Sequence, residues 1–167
     1  MKVLLVNGSP HKKGCTYTAL EEVSKTLLAE GIGTEIFQIG TGPLAGCTDC
    51  GNCLKTGRCI FDDRVNEFLD MAGGADGFVF GSPVHYASAG GSICSFMDRV
   101  FYTDSRSGKR SFYLKPAAAV VSARRAGTTC ALDRLVKYFT ISEMPVISSR
   151  YWNMVHGNSP EEVKKDL

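Results

Sequence analysis

Short apolar runs alternate with helically spaced apolar positions along most of the chain. The runs predict strands at Lys2–Val6, Thr34–Ile39, Gly77–Gly81, Ala117–Val121 and Val146–Ser148. A helix is expected after the third strand, running to about Tyr102. Three more helices are predicted by apolar residues at helical spacing: Leu20, Val23, Leu27 and Leu28 in the first, Val65, Phe68, Leu69 and Ala72 in the second, and Leu132, Leu135, Val136 and Phe139 in the third. Because the strand runs are almost continuously apolar rather than alternating, they predict a five-stranded parallel sheet covered by helices on both faces.

The last ten residues contain the start of a further helix. Ser159 is a suitable N-cap, Pro160 occupies the first helical position, and Glu162 follows the cap by three residues. The sequence stops at Leu167, so this helix has room for about two turns. We expect residues 1–167 to form a single domain, and we expect the natural chain to continue into a longer helix that covers the sheet beside its last strand.

Composition narrows the possible partners. The 167 residues are 44% hydrophobic and 22% charged, with a net charge of +2, which is typical of a globular domain and lacks the basic excess of a nucleic-acid binder. The apolar run at the N-terminus is too short for a signal peptide, and no stretch approaches the length of a membrane span. We therefore expect a cytoplasmic protein with no nucleic-acid or membrane partner.

The loop between the first strand and the first helix has the chemistry of an anion site. It reads Gly8-Ser9-Pro10-His11-Lys12-Lys13-Gly14-Cys15-Thr16. A helix N-terminus points backbone N–H groups at one spot, and the hydroxyls and cations of this loop add to that field. It is neither a Walker A loop nor a G-x-G-x-x-G dinucleotide motif, so a mononucleotide phosphate fits it better. The alternative is a plain strand-to-helix turn with solvated lysines.

Two more loops are expected at the same edge of the sheet, because ligands of such sheets bind outside the carboxyl ends of the strands. The first is Ser82-Pro83-Val84-His85-Tyr86, which offers flat side chains to a planar ring or is a surface loop. The second is Ser122-Ala123-Arg124-Arg125-Ala126-Gly127-Thr128. Its arginine pair suits ligand carbonyls or a phosphate, and the alternative is an exposed basic pair, for instance at a subunit interface.

Taken together, the three loops resemble those of the NADPH-dependent FMN reductase family over nearly the whole chain. The resemblance implies a flavodoxin-like three-layer sandwich with strand order 2-1-3-4-5, FMN as cofactor, NAD(P)H as co-substrate, and a homodimer or homotetramer. It also implies which residues bind FMN. Those expected at the phosphate are Ser9, His11, Cys15 and Thr16; those along the ring are Pro83, Val84, His85 and Tyr86; those at its other polar edge are Ser122, Arg124, Arg125 and Gly127.

Four of the seven cysteines lie within thirteen residues, at Cys47, Cys50, Cys53 and Cys59. Short consecutive spacing of this kind suits a cubane cluster, in which each iron takes one sulfur, better than structural zinc, which more often uses two separated pairs. The pattern resembles the cysteine motif of iron-sulfur flavoproteins, which implies that these cysteines are ligands of a [4Fe-4S] cluster beside FMN. The alternative is a loop of free thiols or a redox pair.

These observations predict an FMN-dependent NAD(P)H oxidoreductase that passes electrons to a small acceptor such as a quinone or a flavin. If the cysteines bind a cluster, the electrons are expected to pass through it. No set of residues typical of hydrolytic or nucleophilic catalysis is visible, so no catalytic side chain is expected. Two alternatives stay open at this point: an electron carrier that only a partner protein reduces, and a regulatory module whose cysteines bind zinc.

Overall fold

The computed structural model describes residues 1–167. Its elements in chain order are β1 (Lys2–Asn7), α1 (Cys15–Ala29), β2 (Gly33–Gln38), α2 (Asn52–Thr56), α3 (Arg64–Ala72), β3 (Gly77–His85), β4 (Ser88–Ala89), α4 (Gly91–Ser107), β5 (Ala117–Ala123), α5 (Thr128–Ile141), β6 (Met154–His156) and α6 (Pro160–Val163). The main strands form a parallel sheet in the order β2-β1-β3-β5-β6, and the two-residue strand β4 pairs antiparallel with the end of β3. Counting the parallel strands alone, this is the predicted order.

Alternate residues of the central strands pack on opposite faces of the sheet. On one face, Leu4 and Val6 of β1 join a core of 26 buried residues that also draws on α3, α4 and α5. On the other face, Leu5 joins a smaller core of 7 residues that includes Val163 of α6 and side chains of α1. Burial on both faces explains why the strands read as continuous apolar runs. No helix has the length and apolar content needed to cross a membrane.

The fifth position of the sheet differs from the prediction. Of the segment expected to be the last strand, only Val146 pairs with the sheet, through an isolated bridge to Ala117. The chain then leaves the sheet and returns as β6, whose residues pair with Val121 to Ala123. Burial is the physical reason: Val155 is 5% exposed, whereas Ile147 is 55% exposed. The segment 146–148, with the β-branched residues Val146 and Ile147, therefore has high strand propensity but no buried face.

The end of the chain begins a helix as expected. The Ser159 hydroxyl accepts a hydrogen bond from the backbone N–H of Glu162 at 3.3 Å, and Pro160 occupies the first turn. The carboxylate of Glu162 reaches back to the backbone N–H of Asn158 at 2.6 Å. This reciprocal capping holds α6 against α1, where Val163 is fully buried.

Candidate functional site

The three predicted loops leave the sheet at one edge, because β1, β3 and β5 are adjacent and parallel. The register aligns Asn7 of β1 with Gly81 of β3, and Pro83 of β3 with Ser122 of β5. The backbone N–H of Gly8 also donates to the carbonyl of Gly81 at 2.9 Å. The sheet therefore places all three loops side by side at its carboxyl edge.

A buried polar network shapes the first loop. The Asn7 side chain accepts from the backbone N–H of Ser9 at 3.1 Å and donates to Gln38 Oε1 at 2.6 Å, and Gln38 Nε2 donates to the Ser9 carbonyl at 2.7 Å. The Ser9 hydroxyl accepts from the backbone N–H of His11 at 3.1 Å. Asn7 and Gln38 were not among the predicted site residues. An asparagine at the end of a buried strand, with no solvent to satisfy it, is the sequence signal that would have identified the first of them.

The turn into α1 presents unpaired backbone donors. The backbone N–H groups of Lys12, Lys13, Gly14, Thr16 and Tyr17 have no hydrogen-bond partner within the chain. They lie at the positive end of a 15-residue helix, beside two exposed lysines. Free donors, a helix dipole and cations are the combination that stabilises a bound phosphate. The loop thus fits the phosphate group of a mononucleotide.

A buried hydrogen bond connects the first loop to the end of β5. The hydroxyls of Thr16 and Ser122 lie 2.8 Å apart, and the two residues are separated by 106 positions in the sequence. Thr16 is 1% exposed and Ser122 is 4% exposed. Two residues that were predicted separately from different loops are therefore direct neighbours.

Cys15 occupies a different environment from the other residues of this loop. Its thiol donates to the Gly157 carbonyl at 3.8 Å and packs toward the α1–α6 side of the core. Burial raises the pKa of this thiol, and the carboxylates of Glu162 and Glu161 raise it further. The side chain therefore stays a neutral thiol that contacts the β6–α6 turn, and only the backbone of Cys15 lies at the end of the loop.

The second predicted loop is a strand extension rather than a loop. β3 continues through Pro83 and Val84 to His85 and then turns back into β4. Both residues of the turn have positive φ, +46° at Tyr86 and +61° at Ala87, as a two-residue type I′ hairpin requires. The sequence signal was hidden because such turns normally carry Asn or Gly. As a result, His85 and the fully exposed Tyr86 project from a hairpin at the site edge.

The third loop packs against this hairpin through Gly127. Its φ is +95°, and a Cβ on it would lie 2.6 Å from Ala87 Cα, so only glycine allows this approach. The two preceding arginines, Arg124 and Arg125, are exposed and form no ion pair or hydrogen bond within the chain. They leave two unpaired positive charges beside the hairpin at the carboxyl edge of the sheet.

The four clustered cysteines lie in the segment between β2 and α3. Cys47 and Cys50 are exposed, Cys59 is half-buried, and Cys53 is buried on the short helix α2. All four line one small cavity of about 20 Å³, which has room for about one water molecule. No three His, Cys, Asp or Glu side chains converge closely enough in the structure to form a metal-binding group. The ligand set therefore stays a prediction, although one cavity is common to its members.

Two residues that sequence analysis did not identify hold this segment in place. Arg99 of α4 is 1% exposed, and its guanidinium donates to both carboxylate oxygens of Asp63, at 2.7 and 2.9 Å. Burial by itself would lower the pKa of Arg99, but its hydrogen bonds to Asp63 and Cys59 outweigh burial and raise it. The available signal was an arginine inside the apolar stripe of α4, beside Phe96 and Val100.

A larger groove of about 780 Å³ begins beside the cysteine segment and runs between the C-terminal halves of α4 and α5. Cys47 and Tyr102 line both the groove and the small cavity. The Tyr102 hydroxyl donates to Asp49 at 2.7 Å across the mouth of the groove. Its volume falls within the range of small-molecule sites.

Comparisons with known proteins give the family and the fold of the chain. The chain is 30% identical to an iron-sulfur flavoprotein of Methanocaldococcus jannaschii over 99% of its own length and 88% of that protein's. It is 32% identical to an iron-sulfur flavoprotein of Clostridioides difficile over 80% of its length, spanning 59% of that relative. A solved structure of the Trp repressor binding protein from Bacillus subtilis has the same fold, with a TM-score of 0.70 at 15% identity, covering 99% of this chain and 93% of that one. Residues 1–159 match the model of one family, and the chain therefore belongs to the NADPH-dependent FMN reductase family.

Proposed function

We propose that this FMN-dependent oxidoreductase takes electrons from NAD(P)H and passes them to a small acceptor. The observation that carries the proposal is the convergence of three loops at one sheet edge, marked by the hydrogen bond between Thr16 and Ser122 and by the contact of Gly127 with Ala87. A mononucleotide with a planar ring needs a phosphate cradle and a ring wall side by side. We propose the turn into α1 as the phosphate cradle and the β3–β4 hairpin as the ring wall.

The phosphate of FMN would be held at the turn into α1. The unpaired N–H groups of residues 12–14, 16 and 17 supply the donors, and the helix dipole supplies a favourable field. Ser9 and His11 shape the turn through their mutual hydrogen bond. The hydroxyl of Thr16 is directed at Ser122, so it acts at the floor of the cradle.

The ring would lie along the β3–β4 hairpin, with Pro83, Val84 and His85 at its side. When bound, FMN supplies a ring that accepts a hydride from a nicotinamide. The chain's own contribution is to hold both molecules in register, since orientation alone lowers the barrier of such a transfer substantially. Arg124 and Arg125 provide the free charge that a nicotinamide cofactor's phosphates require.

We further propose that Cys47, Cys50, Cys53 and Cys59 bind a [4Fe-4S] cluster. Three observations support this: the four thiols are the ligand type that iron-sulfur clusters take, they line one cavity, and glycines with positive φ lie at both ends of α2. The curated relatives described above are named as iron-sulfur flavoproteins. Binding of the cluster would require side-chain and backbone rotation in this loop to gather the four sulfurs, and two of the cysteines, Cys47 and Cys50, are exposed.

The groove beside Cys47 is the route by which we propose that a small acceptor approaches the cysteine segment. It is open to solvent along α4 and α5, and five aromatic residues line it: Phe101, Tyr102, Phe112, Tyr113 and Tyr138. Aromatic walls suit flat acceptors such as quinones and flavins. The protein is also proposed to be a homodimer or homotetramer in the cytoplasm, which sedimentation measurements and fractionation would check.

Anaerobic stopped-flow mixing tests the reductase proposal. Gently isolated protein is expected to contain FMN and to be bleached by NADPH or NADH. Replacing both Arg124 and Arg125 with Gln removes charge-assisted contacts of about 1.5–3 kcal/mol each, so the apparent Kd of the nicotinamide nucleotide should rise by roughly a hundredfold or more. Arg106→Gln is the matched control, since this exposed arginine lies at the far end of α4.

Three outcomes would contradict the proposal in different ways. Protein that binds no FMN, even when FMN is added, would remove the cofactor site. Flavin that is present but reduced by neither nucleotide would favour the electron carrier that depends on a partner protein. Colourless protein that contains zinc would favour the regulatory module.

A further inference from the structure

Arg99 places a positive charge in the buried core, where an unpaired charge is strongly destabilising. It lies on α4 among Phe96, Met97 and Val100, all of which are fully buried, and it is itself 1% exposed. Removing a guanidinium from water is strongly unfavourable unless partners replace the lost hydration. The identity of those partners therefore indicates what the residue is for.

Most of the partners belong to the cysteine segment. The carboxylate of Asp63 receives two hydrogen bonds, and the carbonyls of Phe61 and Ala45 receive bonds at 3.3 and 3.5 Å. The guanidinium also lies over the Phe61 ring, 4.8 Å from its centroid. One side chain of α4 thus ties together both ends of the loop that carries the four cysteines.

The remaining partner is the sulfur of Cys59. The Nε and Nη2 atoms of Arg99 both lie 3.2 Å from this Sγ. A neutral thiol is a weak hydrogen-bond acceptor, so two guanidinium N–H groups that donate to one thiol recover little of the hydration energy that Arg99 has lost. A metal-bound thiolate carries negative charge and accepts charge-assisted hydrogen bonds, which are about twice as strong as neutral ones. The geometry suits a charged sulfur better than a neutral one.

We propose that Arg99 is a positioning residue of the cluster site: it orients Cys59 as a ligand and offsets the negative charge of the bound cluster. This inference rests on the proposed cluster. Hydrogen bonds to ligand sulfurs and the net charge nearby set the reduction potential of iron-sulfur clusters. Loss of the two N–H donors therefore makes the cluster harder to reduce and less firmly held.

Arginine suits this role and lysine does not, because the positions of the donors matter as much as the charge. The planar fork reaches Asp63 with one edge and Cys59 with the other. An ammonium group concentrates its donors at one point and cannot span both partners in the same way. Arg99→Lys therefore tests position, and Arg99→Gln tests charge and position together.

The experiment compares wild type, Arg99→Gln, Arg99→Lys and the matched control Arg58→Gln. Arg58 lies in the same segment and forms an exposed ion pair with Asp70, but it donates to no sulfur. Each protein is reconstituted anaerobically with ferrous iron and sulfide. The readouts are iron and sulfide per chain, the midpoint potential from a redox titration followed by electron paramagnetic resonance, and FMN content as a check on folding.

Outer-shell hydrogen bonds are worth about 10–100-fold in metal affinity, so Arg99→Gln should bind iron at least about tenfold more weakly and titrate at a more negative potential. Arg99→Lys should fall between this variant and wild type, and Arg58→Gln should match wild type. A wild type that takes up no cluster overturns the cluster proposal and this inference with it. A loaded wild type together with an Arg99→Gln variant of equal iron content and equal potential overturns this inference alone. Should the Gln variant lack FMN and fail to fold, wild-type values in Arg99→Lys overturn it instead.

Discussion

The buried hydrogen bond between Thr16 and Ser122 makes a quantitative prediction about how two halves of the site are coupled. Their hydroxyls lie 2.8 Å apart, both residues are at least 96% buried, and neither hydroxyl has another partner. Thr16→Val keeps the shape of the side chain but leaves the Ser122 hydroxyl buried without a partner. Ser122→Ala does the same to Thr16.

An unsatisfied buried polar group costs about 1–3 kcal/mol, whereas removing both partners of a hydrogen bond is nearly neutral. Each single variant should therefore lose about 1–3 kcal/mol in the free energy of unfolding. The double variant should lose no more than the larger of the two. This corresponds to a coupling energy of about 1–3 kcal/mol, which lies within the usual range for residues in contact.

The assay is urea denaturation of the flavin-free protein, with all four members of the cycle compared at equal m-values. Thr26→Val is the matched control on the same helix, because its hydroxyl donates to the Glu22 carbonyl at an exposed position. It should change stability by no more than about 0.5 kcal/mol. If the two single effects add to within about 0.5 kcal/mol in the double variant, the two loops are not coupled through this bond and the reasoning fails.

Two further predictions concern the third loop and α5. Gly127→Ala should lower the free energy of unfolding by about 2 kcal/mol or more, because of the positive φ and the close contact with Ala87. Gly42→Ala is the control: a Cβ there lies in open space, so the same thermal melts should show almost no change. Burial, followed by the hydrogen bond to Asp98, raises the pKa of Tyr138 far above its ordinary value. Since the folded state favours the neutral phenol, stability should be constant at neutral pH and fall as the pH rises above about 10; Tyr138→Phe should flatten that fall, and an unchanged alkaline slope would contradict the assignment.

Local pattern was sufficient for the alternation of the main strands and helices. Apolar runs and helical stripes predicted the order of the elements, because a strand buried on both faces and a helix buried on one face leave different periodicities. The capped start of α6 was readable from Ser159, Pro160 and Glu162 for the same reason: the cap is a local hydrogen bond. The loops at the carboxyl edge were predictable as a group, since parallel strands direct their ends to one side.

Features that depend on pairing between distant residues were not readable. The last strand was placed at 146–148 because propensity favoured it, but burial of Val155 against the sheet decided the position of β6. The extension of β3 into a hairpin brings Ala87 close to Gly127. No sign of this turn is present in the sequence, because neither Tyr86 nor Ala87 is a residue that usually adopts positive φ.

The site shows the same division. Residue types and spacing were sufficient to predict a phosphate-binding loop, an arginine pair and a set of four cysteine ligands, because each is a set of neighbours in sequence. The residues that position these groups are far away in sequence. Gln38 donates a hydrogen bond to the Ser9 carbonyl, and Ser122 shares a hydrogen bond with Thr16. Arg99 of α4 donates to Cys59 in the cysteine segment. A short stretch of sequence determines which functional groups are close together along the chain. The contacts that orient these groups form only when the sheet brings separate stretches of chain to one edge.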